Sequence, residues 1–182
     1  DAFDARCRPV FLSRRARALF RAGVSLFAYH LPLDAHPELG NNRQLARVLG
    51  LADPCATSLG DGLVWQGRLL RRMTPSKLAE RIDGALGRTP LAVVGHGRPI
   101  KTIAWCTGAA QGFIDQVAGL GVDAYLSGEI SEQTTHQARE LGVDYFAAGH
   151  HATERYGIAA LGEHLAERFS LAHRFIDIEN PA

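Results

Sequence analysis

The sequence predicts an α/β fold: a mixed, mostly parallel sheet flanked by helices, with an antiparallel portion in the middle of the chain. Three observations carry this. Gly23-Val24, Gly121-Val122 and Gly142-Val143 each open a short apolar run that ends on an ionisable side chain, His30, Glu129 or His150. A helix that stops at glycine and hands over to a short buried strand is the repeating unit of parallel sheets. Residues 91–94 and 100–106 are apolar runs separated only by Gly95-His96-Gly97-Arg98-Pro99, and strands joined so closely are expected as antiparallel neighbours. Between the runs lie windows with apolar residues at helical spacing, a capping residue before them and glycine after.

In chain order, residues 13–22 read as a helix with Ser13 as cap and Gly23 as stop. Residues 24–29 read as a buried strand, and His30 to Pro37 as a loop stiffened by Pro32 and Pro37. Asn41 or Asn42 caps a short helix that turns Leu45, Val48 and Leu49 inward and ends at Gly50. Residues 51–61 are rich in turn formers and read as a loop, and residues 63–70 alternate as a half-exposed strand does. Thr74-Pro75 marks a helix start, with Leu78, Ile82, Ala85 and Leu86 inward and Gly87 as stop. After the two close strands, a helix is expected from the Thr107–Gly112 turn to Leu120. Buried strands follow after Gly121 and Gly142, then a helix over 153–169 and a last strand over 174–178. The whole is expected as one unit over 1–182, with residues 51–107 as a small subdomain.

The composition sets bounds. A chain of 182 residues, 46% hydrophobic and 21% charged, is long enough to bury a proper core. Its formal net charge of +1 gives no reason to expect a nucleic-acid groove or a membrane anchor. The arginines near the start (Arg6, Arg8, Arg14, Arg15, Arg17, Arg21) read as a solvated helix face in preference to a phosphate-binding arm. Cys7, Cys55 and Cys106 form no C-x-x-C pair, which points to reduced thiols and a cytoplasmic location. No run is long and apolar enough to span a bilayer.

The chemistry gathers at the ends of the runs. His150 and Glu154 are four apart, so within one helical turn they share a face, and a histidine beside a carboxylate is half of a metal site. If the three glycine-valine strands are neighbours, His30, Asp34 and His36, Glu129, and His150, His151 and Glu154 meet at one sheet edge. Such a mix of oxygen and imidazole suits Zn²⁺, Mn²⁺, Fe²⁺ or Co²⁺ without choosing among them. Plainer readings stand beside this one. Asp34 can serve a turn, His150 and Glu154 can be a surface hydrogen-bonded pair, and Glu129 with Ser131 and Glu132 can be a helix start. His96, His136, His164 and His173 read as surface or packing residues.

Longer stretches carry a resemblance. These are His30-Leu31-Pro32-Leu33-Asp34-Ala35-His36-Pro37-Glu38-Leu39-Gly40-Asn41-Asn42, Ala104-Trp105-Cys106-Thr107-Gly108, Gly128-Glu129-Ile130-Ser131-Glu132-Gln133, Gly149-His150-His151-Ala152-Thr153-Glu154-Arg155 and Phe175-Ile176-Asp177-Ile178-Glu179-Asn180-Pro181-Ala182. From about Arg14 onward the chain resembles the NIF-three-like family of dinuclear-metal-centre proteins, whose bacterial members are labelled GTP cyclohydrolase I type II homologues. The resemblance implies a homo-oligomer, a toroidal hexamer with a two-metal site facing its interior. By motif position it makes Asp34 the bridging carboxylate and His150 and Glu154 metal ligands, with His30, Glu129 and His151 as pocket residues. It also implies a consecutive histidine pair in an N-terminal segment, whereas Asp1–Ser13 holds no histidine. An N-terminally truncated piece with fewer than two metals is therefore expected.

Two functions follow as expectations. One is a metal-dependent hydrolase in which Asp34, His150 and Glu154 hold Zn, Fe or Mn and activate water against an unidentified small molecule. The other is a non-enzymatic metal-binding scaffold or partner-binding ring.

Overall fold

The computed structural model describes residues 10–182, and the chain divides into two compact units, residues 1–30 and residues 31–182. Cys7, Arg6 and Arg8, with most of the histidine-free stretch Asp1–Ser13, lie outside the described residues. In the first unit α1 (Val10–Ala22) starts one turn before its predicted cap, and Gly23 follows it at φ 63°. Residues 24–29 correct an expectation: they carry no regular structure, and Val24, Leu26, Phe27 and Tyr29 are exposed. An apolar run supplies strand propensity only; a strand is made by pairing.

Next is α2 (His30–Asp34), a short helix where the sequence predicts a stiffened loop. Pro32 is compatible with it because the first turn of a helix leaves its N–H groups without intrahelical partners. Next come α3 (Asn41–Val48) and β1 (Ala52–Ala56). The second of these replaces a predicted loop, and Pro54 is tolerated in it because β1 lies at the sheet edge. β2 (Trp65–Met73) leads to α4 (Pro75–Leu86), capped by Thr74 Oγ1 accepting from Lys77 N–H and closed by Gly87 at φ 68°. β3 (Leu91–Val93) and β4 (Ile100–Cys106) follow.

The helix predicted from Thr107 is shorter, α5 (Ile114–Ala118). Residues 107–110 form a turn instead, in which Ser127 Oγ donates to the Gly108 carbonyl and accepts from Ala110 N–H. The remaining elements are β5 (Ala124–Ser127), α6 (Glu132–Leu141), β6 (Asp144–Ala147), α7 (His150–Thr153) and α8 (Tyr156–Phe169).

The six strands form one mixed sheet in the order β1-β2-β4-β5-β6-β3. Two of its five pairings are parallel, β4 with β5 and β5 with β6, and the other three are antiparallel. Residues 51–107 thus contribute four strands to the same sheet that holds β5 and β6. The expected pairing of β3 with β4 is corrected, since two strands separate them. The turn after β3 is tied to the start of β6 by Asp144, whose Oδ1 accepts from the N–H groups of Gly95, His96 and Gly97. That anchor carries the chain past β6 and β5 instead of folding it back on itself.

Alternation along the central strands builds two cores. Ile103, Trp105, Leu126 and Phe146 face α3 and α4 through Leu45, Leu49, Leu78 and Ile82. Ala104, Cys106, Tyr125 and Tyr145 face α5 and α6 through Ile114, Val117 and Ala138. With both faces covered, the parallel strands read as continuous apolar runs, and their carboxyl ends are left as the open edge. The strand predicted over 174–178 is corrected as well: residues 171–182 carry no regular structure. Side-chain contacts described below hold this tail, so sheet pairing is not what positions it. No helix among the described residues is long and apolar enough to cross a membrane.

Candidate metal centre

The carboxyl ends of β4, β5 and β6 lie side by side and feed three segments to one edge: Thr107-Gly108, Gly128-Glu129 and Ala148-Gly149-His150. Backbone bonds tie them together, with Gly128 N–H donating to the Gly108 carbonyl and Gly149 N–H to the Gly128 carbonyl. Glycine is required here by space. A Cβ on Gly128 would lie 2.7 Å from the Gly108 oxygen and 2.8 Å from the His150 Cα, and one on Gly108 would collide with Glu154 Oε1.

His150 stands at the centre of this edge. Its Nδ1 lies 2.7 Å from Glu129 Oε1 and its Nε2 lies 3.0 Å from Glu154 Oε2. The pair four residues apart is the one the spacing predicts, with His150 opening α7 and Glu154 just past its end. Glu129 reaches it from the next strand, so it is not spent on a helix start: α6 is capped by Ser131 with Thr134. The hydrogen bond to Glu129 raises the His150 pKa above its ordinary value against the opposing effect of burial, with Glu154 adding to the rise.

Asp34 is buried, 5% exposed, and its Oδ1 accepts from Asn41 Nδ2 at 2.6 Å. Asn41 Oδ1 in turn accepts from Gly157 N–H at 2.7 Å, at the start of α8. Asn42 is fully buried; its backbone oxygen accepts from Trp105 Nε1 and its Oδ1 from Thr107 N–H. These two asparagines hold Asp34 against the end of β4. The sequence predicts Asn41 or Asn42 as a cap; the cap position is Gly40, and the asparagines sit inside the first turn of α3. Two consecutive amides beside a buried helix face were the available signal, since a buried amide must have partners.

Cys106 is the last residue of β4. Burial first, then the charges of Asp34 and Glu154, push its thiol pKa up to about 12. His151 is engaged by the C-terminal tail, with Nε2 at 3.2 Å from Asp177 Oδ1. His36 serves its own turn, Nδ1 accepting from Glu38 and Leu39 N–H. His30 is exposed at the end of the first unit. The edge therefore gathers His150, Glu154 and Glu129, while Asp34 is held by Asn41. Among the described residues no group of three or more His, Cys, Asp and Glu side chains is arranged to hold a metal ion.

Similar proteins are known. A protein of Allochromatium vinosum, called a GTP cyclohydrolase 1 type 2 homolog, is 62% identical over 169 residues, which are 93% of this chain and 66% of that protein. A Pseudomonas aeruginosa protein of the same name is 55% identical over 171 residues, 93% of this chain and 68% of its own length. The chain thus spans about two thirds of the length of these relatives. Among solved structures, protein ybgI, titled as of unknown function, matches with a TM-score of 0.90 and 46% identity over 100% of this chain and 72% of that one. TTHA1606 from Thermus thermophilus matches with a TM-score of 0.83 and 34% identity over 93% of this chain and 67% of that one. With the family profile matched over residues 8–181, the chain belongs to the Duf34/NIF3 (NGG1p interacting factor 3) family.

Proposed function

We propose that the chain supplies Asp34, His150 and Glu154 to a divalent metal centre, of Zn, Fe or Mn, in a water-activating hydrolase. The observation that carries this reading is the orientation of His150. Glu129 accepts at Nδ1, which fixes the imidazole and leaves Nε2 facing Glu154 at 3.0 Å. A ring held by a carboxylate on one nitrogen and turned toward a second donor with the other is the arrangement that supports a metal ligand. Two carboxylates beside one imidazole also make the surroundings favourable to a cation.

As a donor set the residues fit a borderline ion in chemistry. They fall short in count, because His150 and Glu154 are a pair and, among the described residues, no group of three or more such side chains is arranged around an ion. Weak binding by this chain alone is the consequence. A bound ion would lower the pKa of a water molecule toward neutrality. The work of the chain is to hold Nε2 in place through Glu129, to present Glu154 beside it, and to keep Asp34 in position through Asn41. The names of the curated relatives suggest GTP as the first substrate to try. The resemblance adds a homo-oligomeric hexamer to the proposal, which the mass of the particle in solution checks.

Calorimetric titration with Zn²⁺ and Mn²⁺ tests the centre. Binding by the natural chain that disappears in His150→Ala and in Glu154→Gln is the expected result; unchanged binding in His150→Ala overturns it. Asp34→Ala separates the enzyme from the scaffold. Loss of GTP hydrolysis with the assembly intact supports a catalytic centre, and loss of assembly without detectable turnover supports a structural one.

A further inference from the structure

The sequence His150-His151-Ala152-Thr153-Glu154-Arg155 holds two pairs of residues four apart, offset by one position. The first, His150 with Glu154, is the candidate metal pair. The second, His151 with Arg155, is used differently. Asp177 from the C-terminal tail lies across it, Oδ1 at 3.2 Å from His151 Nε2 and Oδ2 at 2.7 Å from Arg155 Nη1. One carboxylate is thus gripped through both oxygens by two nitrogen donors from a single turn of chain.

Arg155 is held in this direction from behind, because its Nη2 donates to the Leu86 carbonyl at 3.3 Å, near the end of α4. Beside the clamp is a cavity of about 340 Å³, lined by Arg88, His151 and Arg155 from the body and by Asp177, Glu179 and Pro181 from the tail. Arg88 Nη1 donates to the Pro181 carbonyl. The cavity is therefore cationic on its fixed wall and acidic on its tail wall. A second cavity, lined by His150, His151 and Glu154 and by Asn180 and Ala182, adjoins it through His151.

The tail is the movable partner in physical terms. Residues 171–182 have no regular structure, and Ile176 and Ile178 on either side of Asp177 are 68% and 73% exposed. With little apolar burial to hold it, the tail depends on the polar contacts just described and on the His151 N–H, which donates to the Ala182 carbonyl at 3.2 Å. When it lifts, two carboxylates leave and two guanidiniums with one imidazole remain. A dianion restores the balance that Asp177 and Glu179 provide, and guanidinium forks match phosphate oxygens in geometry.

We propose that His151 and Arg155, with Arg88, form a binding subsite for the phosphate group of a small-molecule ligand, which Asp177 of the chain's own tail occupies until that ligand displaces it. The subsite does not depend on the metal reading, since none of its contacts involves Glu154, Glu129 or Asp34.

The test is a titration of the whole chain with inorganic phosphate, in chelator and at constant ionic strength, followed by NMR. The natural chain should bind phosphate saturably, with the amides of residues 176–178 moving toward their positions in Asp177→Asn. Asp177→Asn should bind about two- to fivefold more tightly, the gain expected when a weak internal ion pair no longer competes. Arg155→Gln or His151→Gln, placed in the Asp177→Asn chain, should each weaken binding at least tenfold; His151→Gln keeps the test open should the loss of the Arg155–Leu86 bond disturb folding. Acetate should bind at least fivefold more weakly than phosphate. Absence of saturable binding in Asp177→Asn, indifference to both clamp substitutions, or acetate binding as well as phosphate would each overturn the proposal.

Discussion

The Glu129 carboxylate and the His150 imidazole join the ends of two neighbouring parallel strands, with Oε1 2.7 Å from Nδ1. Because this bond is the main cause of the raised His150 pKa, Glu129→Gln should bring that pKa down, as a histidine proton titration in chelator would register. A histidine whose folded pKa is raised contributes stability that is fully present below the unfolded value of about 6.5 and is lost as pH rises through the folded value. The natural chain should therefore lose a little stability through that window, and Glu129→Gln should lose less. Solvent reaches both groups, so the difference should stay below about 1 kcal/mol. A His150 pKa unmoved by Glu129→Gln would refute the assignment.

Gly108 gives a steric test of the same edge. Its φ is 66° and a Cβ there would run into Glu154 Oε1 and lie 3.2 Å from His150 Nε2. Gly108→Ala should cost about 1–2 kcal/mol in a denaturant titration, for the left-handed backbone and the displaced side chain together. Metal affinity should fall at least tenfold, because Glu154 must turn away from His150. A substitution that lowers stability and leaves metal affinity alone would separate the glycine from the site.

Much of this was legible from local signals. Thr74-Pro75 and Gly87 bound α4 as read, and the apolar runs after Gly121 and Gly142 are β5 and β6 in parallel register. The His150–Glu154 pair follows from helical spacing alone. What stayed hidden depends on distant partners. Residues 24–29 have the composition of β5 and β6 and form no strand, and Pro54 lies in a strand because that strand is an edge. Local spacing cannot tell that β3 pairs with β6, since the deciding contact is a carboxylate about fifty positions away. The same holds for Asn41 and Asn42, whose partners include Gly157 and Thr107.

Asn42 shows what such distant contacts contribute. It is fully buried, and Asn42→Ala would leave Thr107 N–H without its acceptor at the end of β4. The expected loss is about 1–3 kcal/mol, the cost of one orphaned buried donor. The turn at Thr107-Gly108 should loosen with it, so amide exchange at Thr107 should speed up more than at Leu126 in the strand beside it. Equal acceleration at both would mean that Asn42 acts on the fold as a whole.

Cys106 should be chemically silent. With its thiol pushed up to about 12 by burial and by Asp34 and Glu154, almost none is thiolate at pH 8, and the thiolate is the reactive form. Cys55 is exposed. Iodoacetamide followed by peptide mass mapping should label Cys55 and leave Cys106 untouched until the chain is unfolded. Removing a nearby charge with Glu154→Gln should leave it silent still, because burial is the largest cause. Rapid labelling of Cys106 in the folded chain would contradict the burial argument.

Asp144 carries the sharpest test of a polar contact away from the edge. It is fully buried, and Oδ1 accepts from three backbone N–H groups of the turn after β3. Its other oxygen lies 3.3 Å from His96 Nδ1, which gives the look of an ion pair. That nitrogen already accepts from Arg98 N–H at 2.9 Å, and Asp144 Oδ2 has no hydrogen-bond partner. Two acceptors therefore face each other, and the contact is not an attractive pair. Asp144→Asn should keep the carbonyl acceptor at Oδ1 and replace the unpartnered Oδ2, so its cost should be about 1 kcal/mol, the difference between a charged and a neutral acceptor. Asp144→Ala strands three donors and should cost about 3 kcal/mol or more. Urea titrations of the two variants give the comparison. If Asn were as damaging as Ala, the carboxylate charge would be paired with a charged His96 after all, and the neighbouring turn would owe its position to an ion pair.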